Sequence, residues 1–158
     1  MKNILEVKGL TKRFGEHIIL DNLNFNIEEG AIFGLIGKSG CGKTTLLNLI
    51  IGFLKPNKGI INYNGKDISK LGNELGKKLG FACQEGSFYK KLTIKENLEY
   101  FGRLYGLEKN EINDRKKILL ETFGLQDAGD TLGQNLSIVM QKRLDIACSL
   151  IHDPDLLI

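Results

Sequence analysis

Hydrophobic and polar residues alternate along much of the first third of the chain. Residues 4–10 and 23–27 follow this two-residue period, and residues 17–20 form a shorter stretch of the same kind. Alternation is typical of strands that bury one face, as antiparallel strands do. Residues 59–63, followed by Asn64 and Gly65, predict a further strand that ends in a tight turn.

Apolar runs predict a second kind of strand, which is buried on both faces. Residues 31–36 are all apolar or glycine, and residues 80–84 form a shorter run of this type. Residues 154–158 begin another. Such runs are expected in a parallel sheet that helices cover.

Helical periodicity replaces these patterns in the second half of the chain. Residues 93–105, 109–123 and 137–152 repeat apolar residues with a helical period. A mostly apolar helix is also predicted over residues 44–52, where a glycine ends it. Strands that alternate with helices indicate the α/β fold class.

A glycine-rich loop joins the predicted strand at 31–36 to the helix that follows. Its sequence has the form G-x-x-x-x-G-K-[ST], in the strand–loop–helix order that a phosphate-binding loop requires. Glycines let the backbone approach an anion closely, and the helix N-terminus favours negative charge there. We expect the Lys43 ammonium to contact the β- and γ-phosphates of a nucleotide, and the Thr44 hydroxyl to bind Mg²⁺. The predicted cradle comprises Gly37, Lys38, Ser39, Gly40, Cys41, Gly42, Lys43, Thr44 and Thr45.

Composition narrows the class of protein further. The 158 residues are 42% hydrophobic and 26% charged, as in one globular domain. A net charge of +3 is too small to indicate nucleic acid or an anionic membrane as a partner. No apolar run approaches the roughly 20 residues of a membrane-spanning helix, and the N-terminus does not open a signal peptide. Cys41, Cys83 and Cys148 lack metal-ligand spacing, which predicts reduced thiols in the cytosol.

Several motifs share their order and spacing with a known family. They are Lys-Arg-Phe-Gly at 12–15, the phosphate loop, Phe-Ala-Cys-Gln-Glu at 81–85, residues 92–98, and residues 135–144 ahead of 153–158. In this arrangement the whole chain resembles the nucleotide-binding domain of an ATP-binding cassette (ABC) transporter. Residues 99–107 further resemble cassettes that serve exporters of drugs, polysaccharides or antibiotics.

The resemblance implies a P-loop NTPase fold, with a RecA-like core, an N-terminal antiparallel β subdomain and a helical subdomain. On this pattern residues 1–30 form the antiparallel part and residues 31–90 the core from the phosphate loop to the glutamine loop. Residues 91–150 form the helical subdomain with the signature helix. Residues 151–158 begin the strand that leads, in the family, to a magnesium-supporting aspartate and a glutamate that polarises water. We therefore expect a domain that is incomplete at its C-terminus.

The resemblance also lends roles to three side chains outside the loop. Phe14 is expected to stack on the adenine ring, and Gln84 to lie beside Mg²⁺ and the attacking water. Ser137 is expected to bind the γ-phosphate of ATP held by a second cassette, at a helix N-terminus. The alternatives are a core or edge phenylalanine for Phe14 and a plain surface glutamine for Gln84.

Other candidate residues are assigned to structure. His17 and His152 have no partner pattern for catalysis or metal binding. The stripe Leu98, Phe101, Leu104 and Tyr105 has helical spacing, which favours core over a face that touches a membrane partner.

One segment departs from the family pattern. Two glycines normally follow the signature serine, and here Ile138 and Val139 stand in their place. Their β-branched side chains add bulk where backbone must approach a phosphate. We expect a weakened composite site, unless shifts of the neighbouring backbone absorb the bulk.

The resemblance therefore implies an ATP-binding subunit that powers a transporter, with ATP and Mg²⁺ as cofactors. Its partners would be transmembrane subunits and a second cassette, identical or not, and it would lie on the cytoplasmic face of the membrane. Since the water-polarising groups lie beyond Ile158, we expect this chain to bind ATP–Mg²⁺ and to hydrolyse it poorly. The alternatives are a non-hydrolysing nucleotide-binding module, the degenerate half of an asymmetric cassette pair, and a cassette ATPase outside transport.

Overall fold

A computed structural model describes residues 2–82 and 86–158 of the chain. The described chain divides into two compact units, Met1–Gly76 and Lys77–Ile158. In the part described, no helix has the length and apolar character needed to cross a membrane. In chain order the elements are β1 (Asn3–Phe14), β2 (His17–Glu28), α1 (Lys43–Ile50), β3 (Lys58–Tyr63), β4 (Lys66–Asp67), α2 (Asn73–Lys78), β5 (Leu79–Gly80), α3 (Ile94–Leu104), α4 (Lys109–Phe123), α5 (Ile138–Leu150) and β6 (Leu156–Leu157), with short 3-10 helices at Ile68–Lys70, Gln126–Ala128 and Gly133–Asn135.

The first unit contains a four-stranded antiparallel sheet in the order β2–β1–β3–β4. β1 and β2 form a long hairpin, so the predicted stretches 17–20 and 23–27 belong to one strand. The predicted turn after β3 is confirmed, because Asn64 and Gly65 take positive φ angles of 48° and 77°. Leu5, Val7 and Leu10 of β1 are almost fully buried, which matches the alternation in the sequence.

The prediction of a buried parallel strand at residues 31–36 is wrong for this structure. No strand forms there, and Ile32 and Ile36 are almost completely exposed. A strand needs a neighbour to accept and donate its ladder hydrogen bonds, and among the described residues none pairs with this segment. The Phe33 ring instead stacks on Phe25 of β2, with 5.3 Å between the ring centroids.

The second unit packs α3, α4 and α5 around one hydrophobic core. α4 has the predicted bounds, and α3 begins after Thr93, which forms a reciprocal capping box with Glu96. Gly102 lets α3 approach α4 closely, because a Cβ there would lie 2.7 Å from Ile112. The buried core residues are Ile94, Leu98, Leu119, Leu120, Leu125, Leu136, Leu144, Ala147, Cys148 and Ile151.

The apolar stripe on α3 is only partly a core feature. Leu98 is fully buried, and Phe101 and Tyr105 pack against the core as predicted. Leu104 is 65% exposed, so its assignment to the core is wrong. Helical spacing predicted that Leu104 lies on the same face as Phe101. Leu104 is the last residue of α3, however, and its side chain faces solvent there.

A second, two-stranded parallel sheet joins β5 to β6. The predicted strand at 80–84 is described only as far as residue 82 and starts one residue earlier, at Leu79. Main-chain hydrogen bonds extend the pairing, since Ile158 N–H donates to Gly80 and Ala82 N–H donates to Ile158. The predicted strand at 154–158 is confirmed as β6.

Candidate nucleotide-binding site

Two glycines of the phosphate loop adopt backbone conformations that would be strained in any other residue. Gly40 and Gly42 have φ angles of 78° and 97°. At Gly42 a Cβ would lie 2.9 Å from Cγ2 of Ile19 and 3.3 Å from its carbonyl oxygen. Glycine is therefore required at this position both for its φ angle and for its close approach to β2.

Lys43, the first residue of α1, turns its side chain back into the loop. Its ammonium Nζ donates to the carbonyl oxygens of Gly37 at 2.7 Å and Lys38 at 2.9 Å. The Sγ atom of Cys41 lies 3.9 Å from the same nitrogen. The positive charge thus lies inside the curve of the loop, beside a helix N-terminus that itself favours an anion.

The remaining loop residues face solvent. Lys38, Ser39, Gly40 and Cys41 are exposed, as is Thr44 in the first turn of α1, whereas Thr45 is half-buried. An exposed threonine hydroxyl is a ligand of the type that Mg²⁺ prefers. Among the described residues no group of three His, Cys, Asp or Glu side chains gathers to hold a metal by itself. These residues therefore suit a Mg²⁺ ion whose other oxygen ligands come from phosphates and water.

Phe14 lies at the end of β1, opposite His17 in the hairpin, and is 48% exposed. It is therefore an edge residue rather than a core phenylalanine. Lys12 lies over its ring, with Nζ 5.0 Å from the ring centroid. The hairpin also reaches the phosphate loop, because Ile19 and Leu20 of β2 surround Gly42. Phe14 and the phosphate loop thus lie in the same unit, and both adjoin the β1–β2 hairpin.

Gln84 lies outside the described residues, so its predicted role remains a prediction. Ser87, three residues further along the chain, is hydrogen-bonded to α5. Asp145 is almost fully buried, and its Oδ1 accepts from the Ser87 backbone N–H at 2.6 Å and from the Ser87 hydroxyl at 2.9 Å. This carboxylate attaches Ser87 to α5.

Ser137 is the N-cap residue of α5 in the second unit. Its hydroxyl accepts from the Met140 backbone N–H at 3.2 Å. Ile138 and Val139 occupy the first turn and are 82% and 62% exposed. The β-branched side chains therefore stand in solvent at the helix N-terminus, where the family pattern has glycines.

Sequence reasoning missed Asn97, which is fully buried in α3. Its Nδ2 donates to the carbonyl oxygens of Tyr89, Leu92 and Thr93, and its Oδ1 accepts from Tyr89 N–H at 2.7 Å. The side chain thereby fixes the backbone of residues 89–93, immediately before α3. The only signal in the sequence was an amide on an otherwise apolar helix face.

The sequence marks Asp145 and His152 in a similar way, since each is a polar residue at a position where the helical pattern predicts an apolar one. His152 stacks on Tyr105 with 3.6 Å between ring centroids, and its Nε2 lies 3.1 Å from the Leu79 carbonyl oxygen. Burial lowers the pKa of His152, and the charge of Arg115 acts in the same direction. His152 therefore serves the fold, as predicted, while His17 is exposed.

Comparison with known proteins gives the family. The profile of the ABC transporter family matches residues 20–158. The probable multidrug ABC transporter ATP-binding protein YbhF of Escherichia coli is 35% identical over 99% of this chain. The Nod factor export ATP-binding protein I of Ralstonia nicotianae is 38% identical over 98% of this chain, and the bacitracin transport ATP-binding protein BcrA of Bacillus licheniformis is 35% identical over the whole of this chain. The chain belongs to the ABC transporter family of ATP-binding proteins.

Solved structures agree with this assignment. The structure of cbiO1 from Clostridium perfringens, part of the ABC transporter complex cbiONQ, superposes with a TM-score of 0.91 at 27% identity. The match covers 99% of this chain and 64% of cbiO1. A second ATP-binding subunit of an ABC transporter gives 0.85 at 28% identity. The fold is therefore that of a P-loop NTPase, as predicted.

The chain spans only part of the relatives that it matches. It covers 27% of YbhF, 48% of the Nod factor export protein and 51% of BcrA. The activity and partners of a whole ATP-binding subunit are therefore matters of proposal for this chain.

Proposed function

We propose that this chain is the nucleotide-binding part of a transporter ATPase and that it binds ATP with Mg²⁺. The observation that carries this proposal is the position of the Lys43 ammonium, inside the loop and between the carbonyls of Gly37 and Lys38. A bound triphosphate would bring oxygens with full negative charge to the same place, and these are stronger partners for the ammonium than neutral carbonyls. The names of the relatives, which are ATP-binding proteins of export and transport systems, support the same function.

The other site residues take roles that follow from their positions. Thr44 supplies a hydroxyl ligand to Mg²⁺ from the exposed first turn of α1, and Phe14 offers an exposed ring to the adenine base. The remaining loop residues bind phosphate oxygens chiefly through backbone N–H groups. Gln84 is proposed to act beside Mg²⁺ and the attacking water, on the family pattern alone.

Hydrolysis by these residues is proposed to be slow. Phosphoryl transfer depends on a correctly positioned metal ion, charge and water. In the family pattern two glycines follow the signature serine, where backbone must approach a phosphate closely, and this chain has the exposed Ile138 and Val139 there. Hydrolysis at a composite site that uses this segment should therefore be slow, while ATP binding in the phosphate loop does not depend on it.

A membrane subunit is the proposed partner of the second unit. Tyr89, Tyr100 and Leu104 form an exposed apolar surface, which we call the α3 patch, and are 48%, 40% and 65% exposed. The two tyrosine rings pack edge to face, with 4.7 Å between their centroids. A protein held by such a partner would lie at the cytoplasmic face of the membrane. Replacing Leu104 by Glu should release the protein from its membrane subunits while leaving ATP binding unchanged.

Thermal unfolding with and without ATP–Mg²⁺ tests the binding proposal. At a ligand concentration of one hundred times Kd, binding should stabilise the fold by about 2.7 kcal/mol, which is roughly 5–10 °C in Tm. Lys43→Ala should abolish the shift, and Lys66→Ala, an exposed lysine on β4, should retain it. An equal shift in the wild-type protein and Lys43→Ala would refute the site assignment.

A second candidate function is the degenerate half of an asymmetric cassette pair. The observation that favours it is the exposure of Ile138 and Val139 at the N-terminus of α5. Two β-branched side chains there would keep a γ-phosphate away from the helix N–H groups. Replacing both residues by glycine should increase ATP-driven dimerisation, measured by sedimentation. Unchanged dimerisation would count against this candidate.

A further inference from the structure

Lys12 places a positive charge on one face of the Phe14 ring. Its Nζ lies 5.0 Å from the ring centroid, within the range of a cation–π interaction. The ring is 48% exposed at the end of β1. One face of the ring is therefore occupied by an ammonium group, and a large part of the rest is open to solvent.

The Lys12 ammonium is itself held in place. Its Nζ donates to the carbonyl oxygen of Lys55 at 2.7 Å. Two further hydrogen bonds join the same segments: Asn57 N–H donates to the Thr11 carbonyl at 2.9 Å, and Arg13 N–H donates to Asn57 Oδ1 at 2.8 Å. The end of β1 is thus fixed to residues 55–57 on both sides of Lys12.

Residues 55–57 are connected in turn to α1, which begins at the phosphate loop. They follow α1 in the chain, and Leu54 N–H donates to the carbonyl of Asn48 in α1 at 3.0 Å. On the other side of the hairpin, Ile19 packs against Gly42. The Phe14 ring and the phosphate loop are therefore held relative to each other through α1 as well as through β2.

We propose that Lys12 is a positioning residue for the base of the bound nucleotide, an inference that rests on the proposed function. The ammonium covers one ring face and fixes the orientation of Phe14, so that the opposite face receives a planar purine. Stacking needs a ring whose plane is set before the ligand arrives, because ordering it on binding would cost affinity. Lys12 acts through Phe14 and contacts no phosphate in this arrangement.

Paired binding measurements with ATP and inorganic tripolyphosphate separate this role from the phosphate cradle. Lys12→Met should weaken ATP binding about two- to fivefold, the range of an exposed cation–π contact. Tripolyphosphate binding should stay unchanged, because it uses the loop alone. Lys12→Arg should restore ATP binding, since a guanidinium also stacks on aromatic rings. Lys66→Met, which makes the same charge change on β4, should leave both affinities at wild-type values.

A double-mutant cycle with Phe14→Leu completes the test. In the Phe14→Leu background, Lys12→Met should cause no further loss of ATP affinity. Equal losses for ATP and tripolyphosphate in Lys12→Met, or independent losses in the cycle, would overturn the inference. If the wild-type protein binds tripolyphosphate as tightly as ATP, the phosphate-binding role of the loop is supported and the role of Lys12 is refuted. If it binds neither ligand, both the role of Lys12 and the proposed function are refuted.

Discussion

Helices α1 and α5 both begin at residues proposed for ATP phosphates, yet their N-termini differ. The N-cap residue of α1 is Gly42, which has a φ angle of 97° and provides no side-chain cap. The N-cap residue of α5 is Ser137, whose hydroxyl caps the Met140 N–H, and α5 exposes two β-branched residues in its first turn. The N-terminus of α1 leaves its donors to a ligand, whereas that of α5 satisfies a donor internally.

The same contrast holds between the polar side chains of the two units. In the first unit the Lys43 ammonium is hydrogen-bonded within the loop, to the carbonyls of Gly37 and Lys38 and to Cys41 Sγ. In the second unit Asn97 and Asp145 are buried and hydrogen-bonded to backbone groups. Substitution of Lys43 should therefore change ligand binding, and substitution of Asn97 or Asp145 should change stability.

The largest expected effect is on stability, from Asn97→Ala. The substitution removes four hydrogen bonds and leaves backbone groups of Tyr89, Leu92 and Thr93 without this partner. The free energy of unfolding should fall by about 2–4 kcal/mol, measured by urea denaturation. Asn113→Ala, at an exposed position of α4, should stay within about 0.5 kcal/mol of wild type. Similar losses in both variants would contradict the assigned role of Asn97.

The next effect is on binding, from Thr44→Val. Loss of one hydroxyl ligand should weaken ATP binding in the presence of Mg²⁺ about tenfold, or ~1.4 kcal/mol. Binding of ATP without Mg²⁺ should be unaffected, and Thr44→Ser should behave as wild type. Calorimetric titration measures all three. A loss that persists without Mg²⁺ would exclude Thr44 as a metal ligand.

Ser137→Ala should have a smaller effect, and on stability alone. It removes the cap of the Met140 N–H, at a cost of about 1 kcal/mol in the free energy of unfolding. Thr93→Ala, which removes the cap of α3, should cost a similar amount. ATP binding by the single chain should not change in either variant. A lower ATP affinity in Ser137→Ala would mean that both helix N-termini serve the ligand.

The smallest effect is a pH dependence that belongs to the second unit. Burial lowers the pKa of His152 below its ordinary value of 6.5, while the Leu79 carbonyl and Asp153 oppose the shift and Arg115 supports it. The unfolded chain therefore binds the proton more readily, and stability should decline as the pH falls below about 6.5. His152→Phe, which retains a ring beside Tyr105, should lose this part of the decline, and His17→Gln should keep it. Urea denaturation between pH 7.5 and 5.5 decides between these outcomes.

Local patterns in the sequence predicted much of the fold. Alternation located β1 and part of β2, and helical periodicity located α3 and α4, because each pattern depends on one buried face of the element itself. The segment at 31–36 was predicted wrongly, since a strand depends on pairing partners that its own sequence does not contain. The prediction that Leu104 is buried was wrong for a related reason, because its burial depends on where α3 ends relative to the neighbouring helices.

The candidate site was predicted in part. The loop motif predicted the position of Lys43 at the helix start, because the motif encodes a local backbone shape. The hydrogen bond from Lys12 to the Lys55 carbonyl joins residues that are distant in sequence, and no local pattern predicts it. The same holds for the link between Asp145 and Ser87.

Hydrogen exchange of the protein with and without ATP–Mg²⁺ tests the central claim most directly. The backbone N–H groups of residues 37–45 should become protected in the wild-type chain and stay unprotected in Lys43→Ala. Residues 137–141, at the N-terminus of α5, should show no change at concentrations where the chain is monomeric. Protection confined to residues 137–141, or none in the loop at saturating ATP, would contradict the account.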